Sequence, residues 1–270
     1  MEELKINEKL SPQTYWDDVL KEAKLPRINS RRSYHYSVTM DYIDKYIRTG
    51  SYKSFFEVGC GSSGWLPYFA TTYNLKVSGI DYSDIGCQLA RKNLDLLNIH
   101  YGEIICRDIF EQDWTNGRKY DIVFSYGVIE HFDNPEEVIR IFSSILNPGG
   151  IIITLVPNLN GIMGRLSKYF VPDLYKMHKV INPKQLRDYH EKNGLKNLRT
   201  GYAGTFTLAV IPLLKSTQGI LREGSVFRNV TLFLLNSFDK LATKLFRLLR
   251  INIPSQSFSP YIISINRNNE

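Results

Sequence analysis

The chain has 270 residues, 43% of them hydrophobic and 23% charged, with a formal net charge of +7. This composition excludes a low-complexity or fibrous chain and is sufficient for one large domain or a core with a cap. The positive charge admits an acidic partner, nucleic acid or an anionic membrane surface, but no compact Lys/Arg block selects either.

Cys60, Cys87 and Cys106 cannot all pair, and no CxxC or Cys/His cluster is visible. Unpaired thiols in a reducing compartment, and no metal site, are therefore expected. The opening "MEELKINEKL" carries too much charge for a signal peptide. No segment approaches the ~20 uninterrupted apolar residues of a membrane span. These features lead us to expect a cytoplasmic protein.

In chain order, residues 1–50 read as a helical cap, "SPQTYWDDVLKEA" and then "RRSYHYSVTMDYIDKYIRTG". Ser11 before Pro12 has the form of an N-cap and first helical position, and Gly50 that of a helix stop. From residue 51 strands and helices alternate. "KSFFEV" is a strand and "SGWLPYFATTY" a helix with Pro67 in its first turn; "KVSGID" is a strand and "DIGCQLARKNLDLLNI" a helix with Leu89, Leu96 and Leu97 on one face. "GEIICRDI" and "YDIVFSYG" are strands, "PEEVIRIFSSIL" a helix, "GGIIITLVPN" a buried strand, "NPKQLRDYHEKNGL" a helix, and "KNLRTGYAG" and "SPYIISINR" strands. Alternation of this kind predicts an α/β fold with a mostly parallel sheet and helices on both faces. Ligands of such sheets bind beyond the carboxyl ends of the strands.

The residues that follow each strand are therefore the ones to inspect. Gly59, Gly61 and Gly64 stand in GxGxxG spacing directly after the first strand, a turn that lets a ligand lie against the backbone. Asp81 ends the second strand about 20 residues later, where a carboxylate accepts the hydroxyls of a ribose. Glu57, just ahead of the glycines, repels a pyrophosphate and suits an ammonium group. Asp108 with Ile109, after the third strand, offers an acceptor and an apolar side chain to an adenine ring.

These segments resemble the class I S-adenosylmethionine-dependent methyltransferases, and most of all the small-molecule group that includes the ubiquinone-type enzymes. The resemblance spans about Phe55 to Gly204. It implies a Rossmann-like, seven-stranded sheet whose last strand, "SPYIISINR", runs antiparallel. It also implies S-adenosylmethionine as cofactor and S-adenosylhomocysteine as product. Glu57, Gly59, Cys60 and Gly61 would cradle the methionine part and Asp81 would hold the ribose. Tyr82 would lie beside the adenosine, Asp108 and Ile109 would hold the adenine, and Ser125 and Tyr126 would border the sulfonium. The acceptor would be a small molecule methylated at oxygen or nitrogen: a glycan precursor, a specialised metabolite or a polyprenyl-linked ring.

Methyl transfer needs alignment above all, and an oxygen acceptor of high pKa also needs a base. His131 is the first candidate, followed by His178 and His35. Tyr15, Trp16, Arg31, Arg32, Tyr34 and Tyr36 of the cap either close over a ligand or pack on the sheet.

The sequence departs from the family pattern between the sixth and last strands, over residues 205–257, leaving 258–270 to complete the core of 51–204. "FTLAVIPLL" is too short to span a bilayer. In "NVTLFLLNSFDKLATKLFRLLR", residues 229–250, Leu234, Phe238, Leu241, Leu245 and Leu248 share one face of a basic amphipathic helix. Packing on its own domain, a lid, a homodimer contact and a peripheral membrane contact all fit that pattern.

Other readings compete. Tyr175 and Lys179 have the YxxxK spacing of short-chain dehydrogenases but stand in a Pro-flanked segment expected to be irregular. Nucleic-acid methylation is disfavoured, because "SYGVIEHF" replaces the DPPY-type motif and no basic stripe follows a phosphate backbone. A binding protein without turnover would keep the same cofactor motif.

Overall fold

The computed structural model describes residues 8–111, 114–206 and 226–269. The helices are α1 (Gln13–Lys21), α2 (Tyr34–Ile47), α3 (Trp65–Tyr73), α4 (Asp84–Leu96), α5 (Pro135–Ser144), α6 (Ile162–Phe170), α7 (Pro172–Lys176), α8 (Pro183–Glu191) and α9 (Val226–Leu248). The strands are β1 (Ser54–Val58), β2 (Lys76–Asp81), β3 (Ile104–Cys106), β4 (Tyr120–Tyr126), β5 (Leu146–Pro157), β6 (Leu195–Ala203) and β7 (Tyr261–Asn268). They form one seven-stranded sheet in the order β3-β2-β1-β4-β5-β7-β6. Strands β3 to β5 pair in parallel, and β7 inserts antiparallel between β5 and β6. The strand order reverses between β1 and β4, which opens a crevice at their carboxyl ends.

Alternation along the central strands sorts their side chains onto two helical layers. Phe55, Ile122, Phe124, Ile151 and Ile153 join a core with α2, α3 and α4, while Phe56, Val123 and Ile152 join another with α5 and α8. Of the expected face of α4, Leu96 is instead exposed. The buried stripe is Cys87, Ala90, Asn93 and Leu94, because Asn93 holds a loop rather than facing water. Its amide donates to Arg27 O and Ser63 O while its Oδ1 accepts from Arg27 N.

Three local expectations change. Ser11 does not cap α1: its Oγ accepts from Trp16 Nε1, and the helix begins at Gln13. The segment holding Tyr175 and Lys179 is irregular only in part: α7 takes in Tyr175, whereas Lys179 stands in the irregular stretch between α7 and α8. Cys87 and Cys106 are joined by a disulfide between α4 and β3, so Cys60, which is buried, is the free thiol.

Candidate active site

At the reversal point lies a cavity of about 350 Å³. Its floor is the loop after β1. Gly59 and Gly61 have φ of +71° and +27°, and a Cβ on Gly59 would stand 2.7 Å from Val128 Cγ2. Only glycine holds that turn without strain, and the bare backbone forms a shallow cradle. Glu57, at the end of β1, is 2% exposed; its Oε1 accepts from Ser63 Oγ at 2.7 Å while Oε2 has no partner. Burial, with Asp81 nearby, pushes its carboxyl well above the ordinary range, against the hydrogen bond from Ser63. Asn29 Oδ1 is a second buried acceptor without a partner on the same wall. Buried polar groups are normally paired, so two orphaned oxygens beside the Arg27 guanidinium fit an amino-acid moiety: an ammonium for the oxygens and a carboxylate for the arginine.

Asp81 is also raised by burial, opposed by bonds from Ser83 N (2.9 Å) and Gly61 N (2.8 Å). These bonds fix its carboxylate at the cavity edge, with further lone pairs left to accept ribose hydroxyls. Asp108 pairs with Lys9, whose ammonium lies 4.4 Å from the centre of the Tyr82 ring. Lys9 arrives there because residues 8–10 pair with the turn at Phe132, Leu10 N donating to His131 O at 2.8 Å.

Glu57, Gly59, Cys60, Gly61, Asp81, Tyr82, Asp108, Ile109, Tyr126 and His131 all line the cavity. Ser125 does not. It lies within the sheet opposite Val58 and Thr154 and is 1% exposed, since adjacent strand side chains point to opposite faces. His35 and His178 are not in the lining either. His35 packs against Tyr36, and burial lowers its pKa. In the cap, Trp16 and Tyr36 line the cavity, whereas Arg31 pairs with Asp41 and Asp44. Arg27 and Asn29 escaped the sequence reading, because isolated polar residues in a loop carry no spacing signal.

His131 sits in a 3-10 turn, Ile129–His131, with its ring 5.0 Å from Trp16 and 4.4 Å from His178. Its Nδ1 lies 2.8 Å from Met177 O, so Nδ1 carries the proton and donates, leaving the Nε2 lone pair free. Burial, then His178, lowers its pKa to about 3. Glu130, buried behind it, is raised to about 8 by burial, with Oε1 4.0 Å from His131 Nε2. His178 donates from Nδ1 to Leu174 O at 2.7 Å. Glu130, His131 and His178 thus form a group whose ligand atoms lie within 4.8 Å of one another, a geometry able to hold a metal ion. No such group is visible in the sequence, because the fold brings residues 130 and 178 together.

A family model for the methyltransferase domain matches residues 28–200. The chain is 29% identical to the ubiquinone biosynthesis O-methyltransferase of Colwellia psychrerythraea (strain 34H / ATCC BAA-681) over 198 residues, covering 67% of this chain and 78% of that one. It is 26% identical to the enzyme of the same name from Coxiella burnetii (strain Dugway 5J108-111), covering 69% and 78%. Among solved structures, the plantazolicin methyltransferase BamL, in complex with a triazolic desmethylPZN analog and SAH, superposes with a TM-score of 0.57 at 15% identity, over 96% of this chain and 90% of that one. Magnesium protoporphyrin IX methyltransferase (ChlM) from Synechocystis PCC 6803, with bound SAH, gives 0.54 at 14% identity, over 94% of both chains. The chain belongs to this methyltransferase-domain family and is an S-adenosylmethionine-dependent, small-molecule methyltransferase of class I fold.

Proposed function

We propose that the protein methylates a hydroxyl oxygen of a small, partly lipophilic acceptor, a phenol-bearing ring, that enters the cavity beside His131, Tyr126 and Tyr36. The observation that carries this reading is the free, neutral Nε2 of His131 at the cavity wall, with its tautomer held by Met177 O. The O-methyltransferase relatives point the same way. Glu57, Asn29 and Arg27 are assigned to the amino-acid end of the cofactor, Asp81 to its ribose, and Tyr82, Asp108 and Ile109 to its adenine. When bound, S-adenosylmethionine supplies an electrophilic methyl group on a positively charged sulfur.

The residues then have limited tasks. Trp16, Tyr36 and Tyr126 exclude water and align the acceptor, which supplies most of the rate. His131 Nε2 would accept the hydroxyl hydrogen bond and take the proton as the O–H bond breaks; the new O–C bond would replace the methyl–sulfur bond, whose electron pair stays with sulfur. The charge gained on the ring offsets the charge lost at sulfur, so the buried site keeps its net charge. The low pKa of His131 means that bulk protons do not block Nε2 at neutral pH.

The test is methyl transfer to paired phenol and amine acceptors by wild type and His131→Gln. A 10²–10⁴-fold loss confined to phenols is the expected result for a lost base. Equal rates in both proteins would remove His131 from the chemistry. The reading includes a contact of residues 229–250 with a membrane surface, and a homodimer through the same helix is its competitor.

A further inference from the structure

The described part of α9 is inverted relative to an ordinary surface helix. Leu234, Phe238, Leu241, Leu245 and Leu248 are exposed, Leu241 at 69% and Leu248 at 62%. At about 100° per residue these five fall within an arc of about 80°. Lys240, Lys244 and Arg247 flank that arc on one side. The helix meets the body by its other side, where Phe246 packs 5.6 Å from Tyr34 of α2. The apolar surface continues off the helix, with Phe206 placed between Phe238 and Phe258 and with Ile253 also exposed. Scattered exposed leucines need no explanation, but a contiguous stripe marks an interaction surface.

We infer that α9 lies on an anionic lipid surface and holds the mouth of the cavity against it, so that a lipophilic acceptor passes from the bilayer to the site. The inference rests on the acceptor entering beside Tyr36, as in the methyl transfer proposed for this cavity. Charge selects the occupant. Residues 226–250 carry Arg228, Lys240, Lys244, Arg247 and Arg250 against the single acid Asp239. Two copies meeting stripe to stripe would bring the cationic flanks together, whereas anionic headgroups complement them. No described helix is long and apolar enough to cross a membrane, so α9 lies in the interface plane.

Position ties this surface to the cavity. Tyr34 OH donates to Ile251 O at 3.1 Å and accepts from Thr205 N at 2.8 Å, which fastens both ends of the insertion to the first turn of α2. Two residues along that turn, Tyr36 lines the cavity and accepts from Arg27 at 3.1 Å. Between them, His35 stands within electrostatic reach of Asp239 of α9. The membrane helix and the cavity mouth are therefore two sides of one helix start.

The experiment is co-sedimentation of the full chain with phosphatidylcholine vesicles, with and without phosphatidylglycerol, at low and high salt. Expected are binding to the anionic vesicles only, weakened by salt, and at least a tenfold loss in Leu241→Asp/Leu245→Asp. Lys240→Glu/Lys244→Glu should weaken binding by at least about tenfold as well, because each cation near a charged surface is worth about fivefold. Both variants should keep the wild-type thermal shift with S-adenosylhomocysteine, which separates a lost surface from a lost cofactor site. Absent binding, equal binding to neutral vesicles, or unchanged binding by the leucine variant would each overturn the inference. So would a wild-type dimer that the leucine variant converts to a monomer without any vesicle binding. Methylation of a soluble acceptor reads the catalytic assignment independently of all these outcomes.

Discussion

The cavity floor after β1 and β2 places polar groups where water is removed, whereas α9 places leucines where water remains. On the floor, each polar atom is fixed by backbone geometry within a few residues of a strand end, and its charge state follows from burial. On α9 the pattern is local as well, but its meaning depends on what lies across from it. The first surface leaves two buried oxygens unpaired; the second leaves a stripe of leucines exposed.

Asp81→Ala is expected to lower S-adenosylhomocysteine affinity by about 100-fold by calorimetry, the scale for losing a charged acceptor. It should also cost the free protein about 1–2 kcal/mol, because Gly61 N and Ser83 N lose their acceptor. Affinity within threefold of wild type would mean that the ribose lies elsewhere.

Glu57→Gln sharpens the contrast between binding and folding. Removing a buried carboxylate whose pKa is raised by burial should leave the free protein as stable or more stable in thermal melts. Cofactor binding should nevertheless weaken about tenfold, through the lost pairing with an ammonium. Loss of both together would assign Glu57 a purely structural role.

A pH experiment tests His131 without substrate. Its folded pKa, about 3, lies below its unfolded value near 6.5. Between those values the unfolded chain binds a proton that the folded one does not, so stability falls as pH falls through this window and is fully present above it. His131→Gln should flatten the acid limb of stability against pH between 6.5 and 4 by about 1.4 kcal/mol per pH unit. Glu130, raised to about 8 by burial, acts in the opposite direction, its stability rising as pH falls below that value.

The smallest effect is expected at Phe246, half-buried where α9 meets Tyr34. Phe246→Ala should cost about 1 kcal/mol in a thermal melt and leave cofactor affinity unchanged. A larger loss would show that α9 supports the core rather than resting on it.

The sheet, the glycine turn, Asp81 and Asp108 were legible in the sequence because each is tied to a strand end by its immediate neighbours. Ser125 and Tyr126 were read together, yet strand alternation sends one into the sheet and the other to the cavity. His178 packs against His131 at 4.4 Å and stands outside the cavity lining, a neighbourhood that no spacing rule shows for residues 47 positions apart. Arg27 reaches the site through Asn93, a residue that periodicity assigned no role. For α9, period revealed which residues share a face and not what the face meets. The reading that it packs on its own domain therefore describes Phe246 but not the leucines.

Tyr34 bonds two points of the chain that lie 46 residues apart, Thr205 and Ile251. Because Thr205 and Ile251 are bonded to the same phenol, and Ile253 N donates to Thr205 Oγ1 at 2.8 Å, the path out of β6 and the path back towards β7 begin at one spot. Whatever is spliced between those two points leaves the register of β6 and β7 undisturbed. The two ends of the segment are thus held together by contacts of their own, made at residues 34, 205, 251 and 253.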